Sequence, residues 1–253
     1  MKTPGRPVTL GAALLLSAAV GLPSAIQAQS VLERTPNVHD GWIGDQVRFH
    51  FNHRMSRMEI GDERRLIASP TFLLGVPAHE NVLIGVQYAS SSEVVESNEW
   101  ELFVRWAPLT AGEETPFGLA LAGGWNTAAR SGDGEVSLTV PLANAQLLGT
   151  VRTFTEAYDT SDLRFALGGG MLVRVSESVA FAGDVVSLQN RSDGEEVAWG
   201  AGLQLQIPRS PHTFSIQATN TPSATLQGSS RGNGDVLWGF EFTTPLTFLG
   251  GGG

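Results

Sequence analysis

The 253-residue chain predicts an all-β protein, an antiparallel up-and-down transmembrane β-barrel of about twelve strands, within a range of about 10–14. Three observations predict it. Apolar residues recur at every second position in run after run, and no stretch sustains the spacing of an amphipathic helix. The residues between them are mostly Gly, Ala, Ser, Thr and Gln, where a sheet wetted on one face would carry many ionised side chains. Short clusters of Ser, Gly, Asp and Thr punctuate the runs, as turns do between neighbouring strands.

Composition narrows the function classes. A hydrophobic fraction of 42% excludes a disordered chain, and the lack of Cys excludes both a disulfide framework and a thiolate metal site. The formal charge of −9 excludes a nucleic-acid partner, since nothing here would neutralise phosphates at large.

The first element, residues 1–28, reads as a secretory signal peptide. Lys2 and Arg6 precede the apolar stretch Val8 to Leu22, and Pro23 and Ser24 lead to a small-residue exit at Ala28. Lys2 is the only lysine, so every cation of the exported chain is an arginine. Residues 29–43 form an N-terminal segment, 44–248 the barrel and 249–253 a Gly-rich tail.

The strands follow in order. Val47, Phe49 and Phe51 alternate with Arg48, His50 and Asn52. A second strand spans Arg65 to Val76; Val82, Ile84, Val86 and Tyr88 define a third; Trp100, Leu102, Val104 and Trp106 define a fourth, with Phe103 breaking its polar face. Phe117 to Leu121, Val136 to Leu142, Ala145 to Thr155, Phe165 to Val173 and Val179 to Val186 continue the meander. Val197 to Ile207, Phe214 to Ile216 and Trp238 to Phe242 complete it. Ser90–Ser92, Thr110–Gly112, Ser131–Gly134, Arg191–Gly194 and Gly228–Gly234 read as the turns.

The polar face decides what the apolar face meets. Small residues suit a confined interior, so the apolar face is expected to meet lipid, with Trp100 and Trp106 at the two membrane–water boundaries. The rival architecture is a soluble periplasmic barrel that encloses an apolar ligand.

Three stretches carry a resemblance: Phe51-Asn52-His53-Arg54-Met55, the run His212 to Asn220, and Trp238-Gly239-Phe240-Glu241-Phe242. They resemble a bacterial β-barrel family of unknown function, domain of unknown function 5777, over about Gly44 to Phe248. Met55 departs from it, standing where the family tends to carry an aromatic residue, and so does the tail Leu249 to Gly253, which leaves Phe248 as the insertion signal. The resemblance implies an outer-membrane location and a barrel fold, and carries no activity.

The inner face collects the candidate site. Arg48, His50, Arg54, Arg105, Arg152, Arg164 and Arg174 are expected to face the lumen, with Glu101, Asp184, Glu196 and Glu241 as partners. Such charges either select solutes or fill a narrow barrel with ion pairs, because a charge away from water must find a partner. Arg48 and Arg54, without a nearby acid in sequence, are the expected contacts for an anion.

Other chemistry is weaker. His50 and His53 lie on opposite sides of one strand and make no shared metal site, while His39 and His79 fall in predicted solvated loops. Glu93, Glu96, Glu113 and Glu114 likewise read as solvated connections. Gly228-Ser229-Ser230-Arg231-Gly232 matches a nucleophile pattern but lacks its strand-to-helix turn, and Gly168-Gly169-Gly170 lacks the following helix of a phosphate cradle. A membrane-embedded hydrolase would draw on His212 and Ser215. The reading reached from the residues is a non-enzymatic outer-membrane barrel without metal or cofactor, in contact with lipid. Its role is that of a channel, a transport component or a docking element, and its partner a small solute or a periplasmic protein.

Overall fold

The computed structural model describes residues 32, 34–39, 41–44, 46–60, 63–91, 98–112 and 115–246. The signal peptide read over 1–28, Phe248, the tail, and Glu93, Glu96, Glu113 and Glu114 lie outside the described residues. Twelve strands are described: β1 (Val47–Ile60), β2 (Glu63–His79), β3 (Val82–Ala89), β4 (Glu99–Leu109), β5 (Gly118–Asn126), β6 (Ser131–Pro141), β7 (Ala145–Phe154), β8 (Arg164–Ser176), β9 (Val179–Leu188), β10 (Ala198–Gln206), β11 (Thr213–Thr219) and β12 (Leu237–Leu246). Each pairs antiparallel with its neighbours in sequence, and β1 pairs with β12, Val47 opposite Leu246 and Met55 opposite Trp238. Closure leaves no unpaired edge, one of the two ways in which a backbone can cross lipid.

Strand β4 shows how the alternation is used. Trp100, Leu102, Val104 and Trp106 are 41–53% exposed on the outside, while Glu99, Glu101, Phe103 and Arg105 are buried inside. Phe103 interrupts the polar inner face because it packs there against Leu83, Ala107, Ala120 and Ile43. Phe49, Trp199 and Phe240 lie on the outward face, Phe240 stacking on His53 at 5.7 Å and on Phe214 at 5.8 Å. A transmembrane barrel is the arrangement that places such a surface against hydrocarbon.

Aromatic residues gather near both ends of the outward face, where an amphipathic ring suits the boundary between lipid and water. Phe72, Tyr88 and Trp100 form a line across β2, β3 and β4, with Trp125 and Trp238 at the same ends of β5 and β12. Trp106, at the far end of β4, marks the other boundary.

The two ends differ. One carries the turns 80–81, 110–117, 142–144, 177–178 and 207–212, together with the start of β1 and the finish of β12. The other carries the β1–β2 connection and the turn 127–130, together with the longer connections 90–98, 155–163, 189–197 and 220–236. The Ser131–Gly134 turn is a correction: those residues open β6, and the turn is formed by 127–130, with Arg130 at φ 57°. A run of Ser, Gly and Asp reads as a turn in sequence, but here Ser131 and Asp133 supply inward-facing strand positions.

A barrel of about eight strands is filled by its own side chains, and one of about 16 leaves an aqueous channel. Twelve strands leave an interior that side chains alone do not fill. Two pieces of chain enter it: the N-terminal segment around 34–43, and the first part of the β11–β12 connection, 220–232, whose residues 220–223, 225–230 and 232 are buried.

Candidate functional site within the lumen

The two inserts meet at a pair of arginines. Arg54, on β1, has no solvent exposure. Its Nη1 donates to Thr221 O and Thr221 Oγ1, both at 2.7 Å, and to Ser223 O at 3.1 Å, while Nη2 donates to Pro36 O at 3.2 Å. Arg152, on β7, is equally enclosed. Its Nε donates to Glu135 Oε2 at 2.7 Å, Nη1 to Ser229 Oγ at 2.8 Å and Ser230 Oγ at 2.9 Å, and Nη2 to Asn37 O at 2.7 Å. Each guanidinium therefore holds both inserts at once. The planar fork of Arg, with five donors in fixed directions, makes this possible where a Lys ammonium would not.

The acids of the wall receive the inserts' donors. Asp184 accepts from Asn37 N at 2.7 Å and Asn37 Nδ2 at 2.9 Å. Glu101 accepts from Leu226 N at 2.7 Å. Glu99 accepts from Asn126 Nδ2 at 2.6 Å and Ser223 Oγ at 3.2 Å. Glu241 pairs with Arg34 and accepts from Asn52 Nδ2 and Gln217 Nε2, both at 3.2 Å. Charged hydrogen bonds of this kind offset the loss of water that burial of each ion entails.

The other candidates named from the sequence distribute along the axis. His50 contacts Thr243 Oγ1 at 2.9 Å. Arg48 lies over the Trp42 ring at 5.6 Å, and Arg105 Nη1 approaches Trp42 O at 3.5 Å. Between Arg105, Glu101, His39, Phe103 and Leu226 an interior space of about 10 Å³ remains, room for one water. Arg174 is half-buried near the turn that joins β8 and β9. Glu196 is a correction. It is exposed, bridged through its backbone to Gly232 at the rim, because β10 begins only at Ala198. His39 is another, being buried at 7% exposure where the sequence suggests a solvated loop.

Arg164 lies at the loop-end rim and belongs to a clamp. It meets both oxygens of Glu195 at 2.7 Å, Arg231 reaches the same carboxylate at 3.5 Å, and the Arg231 guanidinium lies 3.9 Å from the Tyr158 ring centre. Tyr158 N donates to Gln227 Oε1 at 2.8 Å and Tyr158 OH to Gln227 O at 2.9 Å. The β11–β12 insert is thus tied down where it leaves the lumen. The Arg164 hydrogen bonds hold the Glu195 carboxyl down to about 2, against its ordinary 4.5. A depressed folded value means that the clamp's contribution is complete above 4.5 and is lost as pH falls towards 2. Amide exchange over 225–231, corrected for its intrinsic pH dependence, is expected to stay constant from pH 7 to about 4.5 and to accelerate below. Glu195→Gln is expected to speed tryptic cleavage after Arg231 at neutral pH, and an unchanged rate would show that the clamp does not restrain the insert.

Several residues of the site are not singled out by the sequence pattern: Glu99, Asp133, Glu135, Asn37 and Thr221. Glu99 extends the period-two pattern of Glu101 and Arg105, a readable signal. Glu135 is hidden when 131–134 is read as a turn. The hydrolase candidates are not brought together: the His212 ring packs against Phe242 on the outside, at 5.3 Å, while Ser215 is buried inside and accepts from Gln217 Nε2 at 2.7 Å. Ser230 donates to Leu226 O at 2.6 Å.

Fold and lumen together define a porin-like transmembrane β-barrel. In architecture the chain is similar to the KdgM porin, with a TM-score of 0.56 and 7% identity over 79% of this chain and 99% of that one. It is likewise similar to the NanC porin, with a TM-score of 0.53 and 9% identity over 79% of this chain and 99% of that one. No family model matches the chain. No curated protein matches it.

Proposed function

We propose that this protein is an outer-membrane channel barrel whose lumen is shut by its own N-terminal segment and β11–β12 connection. The observation that carries the reading is the shared grip of Arg54 and Arg152 on both inserts. The four long connections 90–98, 155–163, 189–197 and 220–236 lie at one end, which matches the outer face of such barrels, so the N-terminal segment enters from the periplasmic side. The signal peptide read over 1–28 and the resemblance to the 5777 family agree with that location. A soluble barrel around an apolar ligand fits less well, because the interior offers Arg54, Arg152, Glu99 and Asp184, its apolar clusters are filled by the chain's own side chains, and most large apolar strand residues point outwards.

Fractionation and planar bilayers test this. The protein is expected to need detergent for extraction and to give a predominantly closed trace. A stable open conductance in the parent contradicts the closed reading. A lack of current in every variant that frees an insert contradicts the channel reading.

A further inference from the structure

The wall around Asn37 is shaped to one short turn of chain. Asn37 N and Nδ2 both donate to Asp184, at 2.7 and 2.9 Å, and Nδ2 also reaches Thr219 Oγ1 at 3.3 Å. Asn37 Oδ1 accepts from Thr221 Oγ1 at 2.7 Å, and its carbonyl accepts from Arg152 at 2.7 Å. Every polar group of this residue is engaged. An Asp here would set a carboxylate against Asp184, and a Leu would keep the backbone donor but take the side-chain donor from Asp184 and the acceptor from Thr221.

The backbone of the wall is cut to the same turn. A Cβ on Gly200 would lie 2.7 Å from Pro36 Cβ and 2.8 Å from Asn37 Nδ2, and one on Gly170 would lie 3.1 Å from Thr35. At Gly170 and Gly200, β8 and β10 therefore accept the turn because side chains are missing there.

The two inserts differ in how they are tethered. The β11–β12 connection is held by a strand at each end and by the Tyr158–Gln227 and Arg164–Glu195–Arg231 contacts. The N-terminal segment enters and leaves by the turn end. Leu32 packs with Leu172, Ala180 and Ala182 beside the β8–β9 turn, and Ile43 packs with Leu83, Ala107 and Ala120 just before β1. Among the described residues, 32–44 belong to no strand, so drawing them out breaks no ladder.

We propose that Asp184, Arg152, Thr219, Thr221 and Gly200 form a carboxamide-recognition site whose ligand is the chain's own Thr35–Val38 turn, and that periplasmic withdrawal of this turn is the reversible step that opens the barrel. The site stands on its own geometry; the opening rests on the channel reading above.

The chain has no Cys, so Val38→Cys gives a single reporter at a fully enclosed position. In the intact protein in liposomes, a membrane-impermeant maleimide is expected to label it slowly. Adding Asn37→Leu or Gly200→Ala is expected to raise the rate by about tenfold or more, as the first removes side-chain hydrogen bonds and the second sets a Cβ 2.7 Å from Pro36 Cβ. A synthetic peptide of residues 32–44 is expected to block the current of the Asn37→Leu protein, whereas the same peptide carrying Asn37→Leu does not. Labelling rates equal to the parent in both variants, or equal block by both peptides, would overturn the site. Should Gly200→Ala fail to fold, as judged by heat-dependent gel migration, Asn37→Leu lies outside the wall and decides alone. Fast labelling without any current keeps the site and overturns the channel reading.

Discussion

Removing residues 32–43 is expected to turn a barrel that passes little current into one with a lasting conductance, at least about tenfold above the parent's time-averaged value. The deletion takes away Asn37 and Arg34, which engage Asp184 and Glu241, and the side chains of Leu32, Val38 and Ile43, which the lumen buries. The remaining insert stays, because its anchors to Glu99, Glu101 and Tyr158 do not involve the deleted residues. Arg48 loses Trp42 from its guanidinium and faces the opened turn-end half of the lumen. In the shortened chain, Arg48→Glu is therefore expected to move the reversal potential towards cation selectivity. Planar-bilayer recording reads both effects. A shortened chain as silent as the parent would mean that the β11–β12 insert alone seals the barrel.

The second large effect is on stability. Arg152→Ala leaves Glu135 buried without its cation and strips Ser229, Ser230 and the Asn37 carbonyl of a donor. Breaking a buried ion pair from one side costs about 3–5 kcal/mol, most of it the penalty of the charge left behind. Replacing both partners with apolar residues costs less, so Arg152→Met with Glu135→Leu is expected to recover part of the loss. Arg152→Lys is not expected to rescue, since one ammonium cannot reach Glu135, the two serines and Asn37 in their separate directions. Denaturant unfolding in detergent or lipid measures the series. A loss below about 1 kcal/mol for Arg152→Ala would show that the lumen there is wet and the pair screened.

Period-two alternation carries nearly all of the barrel into view, because each strand presents one face to lipid and the other to the lumen. It locates all twelve strands, and it picks out Arg54, Arg152, Asp184 and Glu241 as inward-facing charges. It does not show what those charges hold. Arg54 and Asp184 meet partners on segments without periodicity, and only the folded chain brings 36–37 beside 221–230. A weaker signal is present in composition. The connection 220–236 carries only Arg231 and Asp235 as charges, whereas the solvated connection 189–197 carries Arg191, Asp193, Glu195 and Glu196. A long loop of Thr, Ser, Gln and Asn that avoids ions is suited to a site where each polar group is satisfied by protein. The misplaced turn at 131–134 has the same root: Ser131 and Asp133 are polar because they face the lumen, where Asp133 accepts from Gln227 Nε2 at 3.0 Å.

Cross-linking reaches the interior most directly. The Thr35 side chain lies against the α-carbon side of Gly170, about where a second Cβ would complete a bridge, and no native thiol competes. Thr35→Cys with Gly170→Cys is expected to form an intramolecular disulfide in nearly every copy exported to an oxidising compartment, and reductant is expected to release it. A well-folded barrel in which both thiols stay free and react readily with an impermeant maleimide would contradict the placement of the N-terminal segment inside the lumen.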